Sequence, residues 1–251
     1  MAVVTVVDDE RALAGTAAER ITSLAERAIA ERGNVVICLT GGSTPERVYE
    51  LLGDDRRPWR ARIDWRRVHA CWGDERQVPP EHADSNFGMA HRALLSRVPA
   101  PAPQIHRLRG EEPDAREAAR QYEEELRTAF ADAGRTDQTF DIMLLGLGED
   151  AHIASIFPGS PIVDERSVRV AAAWAGHLKA WRITMTPAAL LDARDLLVVV
   201  SGDRKADAVR AALDAADDVA RYPAHLLRAA GDRVEWIIDR AAAARHAAPP
   251  A

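Results

Sequence analysis

The chain has 251 residues and a formal net charge of −6 at neutral pH. This length suits one large α/β domain, and the acidic balance argues against a nucleic-acid-binding protein, which needs a basic face or stripe. No apolar run approaches the roughly 20 residues that cross a bilayer, and the first residues do not have the pattern of a signal peptide. We therefore expect a cytoplasmic protein with no nucleic-acid or membrane partner.

Short apolar segments typical of strands alternate with amphipathic segments typical of helices along most of the chain. The predicted strands are 3–7, 35–39, 68–72, 140–145, 168–172, 182–186, 196–200 and 234–238. The predicted helices are 10–32, 45–52, 85–97, 114–131, 187–191, 204–215 and 223–230. This alternation predicts an α/β fold with a mainly parallel sheet. We expect a single domain over residues 1–240 and a disordered Ala/Pro tail at 241–251.

The junction after the strand at 35–39 has the composition of an anion cradle. Gly41 and Gly42 allow close backbone approach to an anion, Ser43 and Thr44 add hydroxyl donors, and Pro45 suits the first turn of a helix. The spacing is not that of a nucleotide P-loop. An ordinary tight turn with Thr44 as the helix cap explains the segment about equally well.

The strand at 68–72 is followed by Asp74, Glu75 and Arg76, with Asn86 a little further on. Arg76 could hold a substrate anion or a developing oxyanion, and the two carboxylates could orient it. A solvated charged loop is the alternative, and from this segment alone it is the better explanation.

The strand at 140–145 leads into Gly-Leu-Gly-Glu-Asp-Ala-His at 146–152. His152 lies in a glycine-rich corner beside Asp150, which could orient the imidazole, so His152 is the candidate general base. The corner also matches the dinucleotide fingerprint formally. We reject that match because Pro158 would make the following helix very short, and because no acidic residue ends the next predicted strand.

Arg182 and Lys205 are candidates for a second group of phosphate ligands. Lys205 lies near a predicted helix start, and it is one of only two lysines in the chain, the other being Lys179. A surface strand and a capped helix explain these positions nearly as well.

Together, these segments resemble the 6-phosphogluconolactonases, the second enzymes of the oxidative pentose phosphate pathway. The most specific motifs are Trp-Gly-Asp-Glu-Arg-Gln-Val-Pro-Pro at 72–80 with the downstream Asp-Ser-Asn, and Gly-Leu-Gly-Glu-Asp-Ala-His-Ile-Ala-Ser-Ile-Phe-Pro-Gly at 146–159. The match runs in order from the Gly-Gly-Ser-Thr-Pro segment to Ser-Gly-Asp-Arg-Lys at 201–205.

The resemblance implies an open Rossmann-like fold with helices on both faces of the sheet, no metal and no cofactor. It also implies hydrolysis of a sugar-phosphate lactone, the small-molecule partner, by a monomer or a small homo-oligomer. The implied catalytic residues are His152, Asp150 and Arg76. The implied substrate- and phosphate-binding residues are Gly41, Gly42, Ser43, Thr44, Asp74, Asn86, Arg182 and Lys205.

The chain departs from the family pattern at Ala151, where glycine is usual, and at Ile153, where threonine is usual. Alanine removes easy access to positive φ, so we expect the corner to be unstrained there or slightly reshaped. Two alternative functions stay open. Glucosamine-6-phosphate deaminases share a similar corner, but their pattern continues to a carboxylate where this chain has Ser155-Ile-Phe-Pro158. A sugar-phosphate sensor generally carries a DNA-binding segment, which we do not find.

Overall fold

The computed structural model describes residues 2–247, which contain nine strands and seven α-helices. The strands are β1 Val3–Val7, β2 Val35–Leu39, β3 Val68–Trp72, β4 Asp74–Arg76, β5 Phe140–Leu145, β6 Val170–Ala175, β7 Ala180–Met185, β8 Ala193–Val200 and β9 Val234–Asp239. The α-helices are α1 Glu10–Arg32, α2 Ser43–Gly53, α3 Pro58–Arg62, α4 Asn86–Ala93, α5 Ala115–Asp132, α6 Pro187–Leu190 and α7 Ala206–Asp214. Within these residues, no helix is long and apolar enough to span a membrane.

Six strands form one parallel sheet in the order β1-β9-β8-β5-β2-β3. Both faces of this sheet are covered, which explains why the strand sequences are continuously apolar. In β2, Val36 and Cys38 pack in a cluster with α5 and α7, whereas Val35 and Ile37 pack in a second cluster with α1, α2 and α4. The predicted α/β fold is confirmed.

A second sheet is antiparallel, with the order β4-β7-β6. We predicted a charged loop at β4, but Asp74 to Arg76 form a strand. Local propensity does not favour a strand here; pairing with β7 stabilises it, so tertiary context overrides the local preference. The other two strands of this sheet also differ slightly from the prediction. β6 begins at Val170 instead of residue 168, and β7 begins at Ala180 instead of residue 182.

Several helix boundaries differ as well. Helix α2 begins at Ser43 instead of residue 45, because Gly42 takes the capping position with φ of 108°. The helix predicted at 85–97 ends at Ala93 and continues as a short 3-10 turn, and the helix predicted at 223–230 is 3-10 in character over Pro223–Arg233. Helix α3 was not predicted.

The predicted tail overlaps a segment that packs against the domain. Ala242 is fully buried, and its amide donates to the Asp239 carboxylate at 2.7 Å. His246 Nδ1 and the Ala247 amide both lie within hydrogen-bond distance of the Asp214 carboxylate, at 2.8 and 2.9 Å. The prediction of disorder is therefore wrong for 241–247, and its remainder, 248–251, lies outside the described residues.

Two buried tyrosines hold the carboxyl ends of the neighbouring strands β2 and β3. The Tyr49 hydroxyl accepts from the Thr40 amide and donates to the Thr40 carbonyl, both at 2.9 Å. The Tyr122 hydroxyl pairs in the same way with both backbone groups of Trp72, at 2.7 and 3.0 Å. These bonds stabilise the positions at which the chain leaves the sheet and the loops begin.

Candidate active site

An open cleft lies at the carboxyl ends of the central strands, between the main sheet and the β4-β7-β6 sheet. This is where ligands bind in open α/β folds. The cleft has a volume of about 370 Å³, which suits a small molecule. Its lining residues are Thr40, Gly41, Gly42, Asp74, Arg76, Asn86, Gly146, Leu147, Gly148, His152, Ala154, Ser155, Phe157, His177, Leu178, Arg182 and Lys205.

His152 follows β5 in a tight corner that depends on a glycine. The Gly148 amide donates to the His152 carbonyl at 2.9 Å, which folds the corner back on itself. A Cβ atom at position 148 would lie 2.0 Å from His152 Nδ1, so only glycine fits under the imidazole. The tight Gly-x-Gly turn predicted from the sequence thus has a steric reason in the structure.

Asp150 and His152 form a close pair, with Asp150 Oδ1 2.6 Å from His152 Nδ1. Partial burial alone would raise the pKa of Asp150, but the hydrogen bond and the charge of His152 outweigh it and lower that pKa to about 2. The carboxylate is therefore ionised at neutral pH and accepts a hydrogen from Nδ1. Nε2 is left as the ring nitrogen that can accept a proton.

The two departures from the family pattern have different consequences. Ala151 adopts φ of 62°, the left-handed conformation that glycine takes without cost, and its methyl group is fully buried. The expectation that the corner is unstrained at this position is therefore wrong, because alanine is held here in a conformation that costs it free energy. Ile153 is fully buried in the apolar core and does not line the cleft.

Phe157 and His177 contribute to the site and were missed from the sequence. The Phe157 ring lies between two imidazoles, with centroid distances of 4.6 Å to His152 and 5.0 Å to His177. His177 belongs to the turn between β6 and β7, which forms one wall of the cleft. No local motif surrounds His177, so only the pairing of distant strands could have identified it.

Asp74 and Asn86 connect the segments that form the cleft. Both Asp74 oxygens are occupied, because Oδ2 accepts from the Ser155 hydroxyl at 2.6 Å and Oδ1 accepts from Asn86 Nδ2 at 3.2 Å. Asn86 also lies against Gly41, where a Cβ atom would be 1.8 Å from Asn86 Oδ1. Ser155, another residue missed from the sequence, thus links the His152 segment to β4.

Glu75 has a structural role next to these residues. It is buried, and its carboxylate accepts from the amides of Asn86 and Phe87 at 2.7 and 2.8 Å, at the start of α4. Burial raises the pKa of Glu75, although these hydrogen bonds oppose the rise. Glu75 therefore anchors helix α4 and does not reach the cleft.

Three cationic side chains line the cleft. Arg76 and Arg182 face each other as register partners on β4 and β7. The Arg76 guanidinium donates to the Asp84 carbonyl, and the Arg182 guanidinium donates to the Trp181 carbonyl. Lys205 comes from the end of β8, and its Nζ donates to the Leu147 carbonyl at 2.7 Å. Burial lowers the pKa of Lys205.

The loop after β2 contributes backbone rather than hydroxyl groups. Gly41 and Gly42 line the cleft, whereas Ser43 and Thr44 are the first residues of α2 and are not among the lining residues. The Thr44 hydroxyl is 2.7 Å from the hydroxyl of Ser201, which joins this loop to the one that carries Lys205. Of the predicted site residues, Ser43, Thr44 and Asp150 are therefore not among those that line the cleft, and the others line it.

Comparison with known proteins agrees with this geometry. The family model described as glucosamine-6-phosphate isomerases/6-phosphogluconolactonase matches residues 8–236. A protein of Nostoc sp. named 6-phosphogluconolactonase is 35% identical over 242 residues, covering 96% of this chain and 97% of the relative. A Mycobacterium tuberculosis protein of the same name is 37% identical over 247 residues, covering 94% and 95% of the two chains.

A similar arrangement occurs in solved structures. The 6-phosphogluconolactonase of Trypanosoma cruzi superimposes with a TM-score of 0.82 at 27% sequence identity, covering 99% of this chain and 98% of that chain. The similarity therefore extends over the whole domain, including every segment that lines the cleft.

Proposed function

Because the chain belongs to the family of glucosamine-6-phosphate isomerases and 6-phosphogluconolactonases, we propose that it hydrolyses 6-phospho-D-glucono-1,5-lactone to 6-phosphogluconate. This reaction is the lactone-opening step of the oxidative pentose phosphate pathway. The observation that carries the proposal is the Asp150–His152 pair, at a cleft that also contains three cationic side chains. That combination suits an ester hydrolase acting on an anionic substrate.

In the proposed reaction, His152 is the general base. Its Nε2 takes a proton from a water molecule while the water oxygen bonds to the lactone carbonyl carbon. The tetrahedral intermediate then collapses, the bond between C1 and the ring oxygen breaks, and the ring oxygen receives the proton from His152. The resulting carboxylic acid releases its own proton to solvent. Asp150 keeps the imidazole in the required tautomer and orientation throughout.

Arg76 stabilises the oxyanion of the tetrahedral intermediate. Its guanidinium lines the cleft and has donors that are not used in the bond to the Asp84 carbonyl. One well-placed donor in a site of this kind contributes about 3–4 kcal/mol to the transition state.

The phosphate binds where the loop after β2 meets the start of α2. Gly42 precedes the helix without a side-chain cap, so the first amides of this 11-residue helix are available to an anion. Lys205 supplies a full positive charge from the neighbouring loop, which the Thr44–Ser201 contact holds against α2. Anchoring the phosphate away from the reacting carbonyl positions the substrate and excludes simple lactones.

The test is a lactonase assay with freshly prepared 6-phosphoglucono-δ-lactone, corrected for spontaneous hydrolysis, beside an ammonia-release assay with glucosamine 6-phosphate. We expect the lactone to be opened and no ammonia to be released. The reason is that no carboxylate stands between His152 and Pro158, and Ser155 donates its hydroxyl to Asp74. Ammonia release at a comparable turnover would overturn the proposal. Binding of glucosamine 6-phosphate with neither reaction would favour a sensor.

A cytoplasmic location belongs to the same proposal. Both cysteines, Cys38 and Cys71, are buried free thiols, as is usual in a reducing compartment.

A further inference from the structure

The two arginines of the cleft are held in a position that is unfavourable without an anion. Arg76 and Arg182 are register partners on antiparallel strands. Like charges directly opposite each other across a sheet are destabilising. Burial is the main cause that lowers the pKa of Arg182, and the positive charge of Arg76 lowers it further. The second effect is the repulsion between the two guanidinium groups. A bound anion between the guanidinium groups would relieve it.

Asp74 is the carboxylate whose charge acts most strongly on Arg182, ahead of Asp84 and Glu75, and it is already used elsewhere. Asp74 lies two residues before Arg76 on β4, but its two oxygens accept from Ser155 and Asn86. Within residues 2–247, neither arginine forms a salt bridge, and each uses one nitrogen for a backbone carbonyl. Most of the donors of both guanidinium groups are therefore free to bind a ligand.

The arginine pair lies on the strand face that holds the His152 segment. Side chains two residues apart on a strand point to the same face, so Arg182 shares a face of β7 with Thr184. The Thr184 hydroxyl accepts from the amide of Ser155, three residues after His152. Asp74, the register partner of Thr184, accepts from the Ser155 hydroxyl. The arginine pair therefore lies on the strand face that contacts Ser155, and it lines the same cleft as His152.

Lys205 marks a different part of the cleft. It lies in the short 3-10 turn Asp203–Lys205 that follows β8 of the parallel sheet, and its Nζ donates to the Leu147 carbonyl, five residues before His152. The arginine pair lies on the other sheet, which contacts Ser155, three residues after His152. Lys205 and the arginine pair therefore contact the His152 segment from two different sheets, on either side of His152 in the chain.

We infer that Arg76 and Arg182 together form a second anion subsite, separate from the phosphate site at α2 and Lys205. This inference rests on the proposed function. The subsite holds the lactone carbonyl oxygen as it becomes negative and then the carboxylate of the opened product. Arg182, predicted from the sequence as a phosphate ligand, is in this assignment a catalytic residue at the carbonyl end. The preferred ligand class is an open-chain sugar acid with an anion at each end.

Equilibrium binding by calorimetry tests the inference without turnover. The probes are 6-phosphogluconate, with both anions, and sorbitol 6-phosphate, which has the phosphate alone. We expect 6-phosphogluconate to bind about tenfold to a hundredfold more tightly, because it adds a charge-assisted pairing with the arginines. Arg182→Gln should remove most of that advantage while changing sorbitol 6-phosphate affinity less than about twofold. Lys205→Gln should weaken both ligands by a similar factor.

Arg194→Gln is the control, because it removes one positive charge at a β8 residue that pairs with Asp137 and lies outside the cleft lining. It should leave both affinities unchanged, and Arg182→Lys should restore part of the 6-phosphogluconate advantage. Equal weakening of both ligands by Arg182→Gln would overturn the inference, since Arg182 would then bind the phosphate. That result would not contradict the proposed lactone hydrolysis. If the wild-type protein neither hydrolyses the lactone nor binds 6-phosphogluconate, the proposed function is refuted as well.

Discussion

Replacing His152 with glutamine tests the proposed mechanism most directly. Glutamine keeps a similar size and can still hydrogen-bond to Asp150, which pairs with Nδ1 at 2.6 Å, but it cannot take a proton from water. The imidazole is 28% exposed and packs on Phe157 at a centroid distance of 4.6 Å, so the substitution removes little buried surface. We expect a small change in the melting temperature.

The expected kinetic effect is large. Loss of a general base typically lowers the rate by about 10²–10⁴-fold, and this loss should appear in kcat. KM should change little, because His152 is not one of the groups that we propose to hold the phosphate. In the wild type, kcat should fall on acidification, since a protonated imidazole no longer accepts a proton.

His177→Gln is the matched control, because His177 packs on the opposite side of the same phenylalanine, at 5.0 Å. It should retain kcat within about tenfold, since the altered ring is not the proton acceptor. Initial rates with fresh lactone, measured beside thermal melts of both variants, complete the comparison. A His152→Gln protein that melts like the wild type and keeps more than about a tenth of its kcat would refute the mechanism.

Further predictions concern the corner, the phosphate site and metals. Asp150→Asn should lower kcat, because the carboxylate that accepts from Nδ1 and orients the imidazole is gone. With a pKa of about 2, Asp150 stays ionised over the pH range of the assay, so its own titration should not appear in the rate. Ala151→Gly should change the free energy of unfolding, measured by denaturant titration, by less than about 1 kcal/mol relative to the wild type. The reason is that the relief of backbone strain at φ of 62° offsets the loss of a buried methyl group. A destabilisation above about 2 kcal/mol would contradict the left-handed conformation of Ala151. Lys205→Ala should raise KM, because losing a charge-assisted bond to the phosphate costs about 1.5–3 kcal/mol of binding free energy. Thr44→Ala should raise KM less, because it loses only the contact with Ser201 that holds the two loops together, about 0.5–1.5 kcal/mol. Unchanged KM in both variants would remove these residues from the site. EDTA should not affect the rate, and a chelator-sensitive activity would reveal a metal requirement.

The parallel sheet could be predicted from the sequence because its strands are apolar on both faces. β2 and β3 have the predicted boundaries, and every residue in both is buried. Helix α1 was also predicted accurately, since Asp9 caps its start and Gly33, at φ of 85°, ends it. In these segments, the local pattern and the tertiary environment agree.

The second sheet could not be predicted in the same way. β4 consists of three charged residues, and its strand conformation depends on pairing with β7, more than 100 residues later in the chain. His177 approaches His152 only because this pairing brings the turn before β7 to the cleft, and the same pairing brings together Asp74 and Thr184, the two partners of Ser155. Motif spacing identified residues at the ends of the parallel strands, but it carries no information about which residues face them across the cleft.

The tyrosine at the end of β2 also affects the thermodynamics of binding. Thr40 lines the cleft, yet its amide and carbonyl are already paired with the Tyr49 hydroxyl. When a ligand displaces water from the cleft, these two backbone groups lose no hydrogen-bond partner. A buried backbone group without a hydrogen-bond partner costs about 1–3 kcal/mol. Because the Tyr49 hydroxyl pairs with both groups of Thr40, ligand binding does not incur this cost at Thr40.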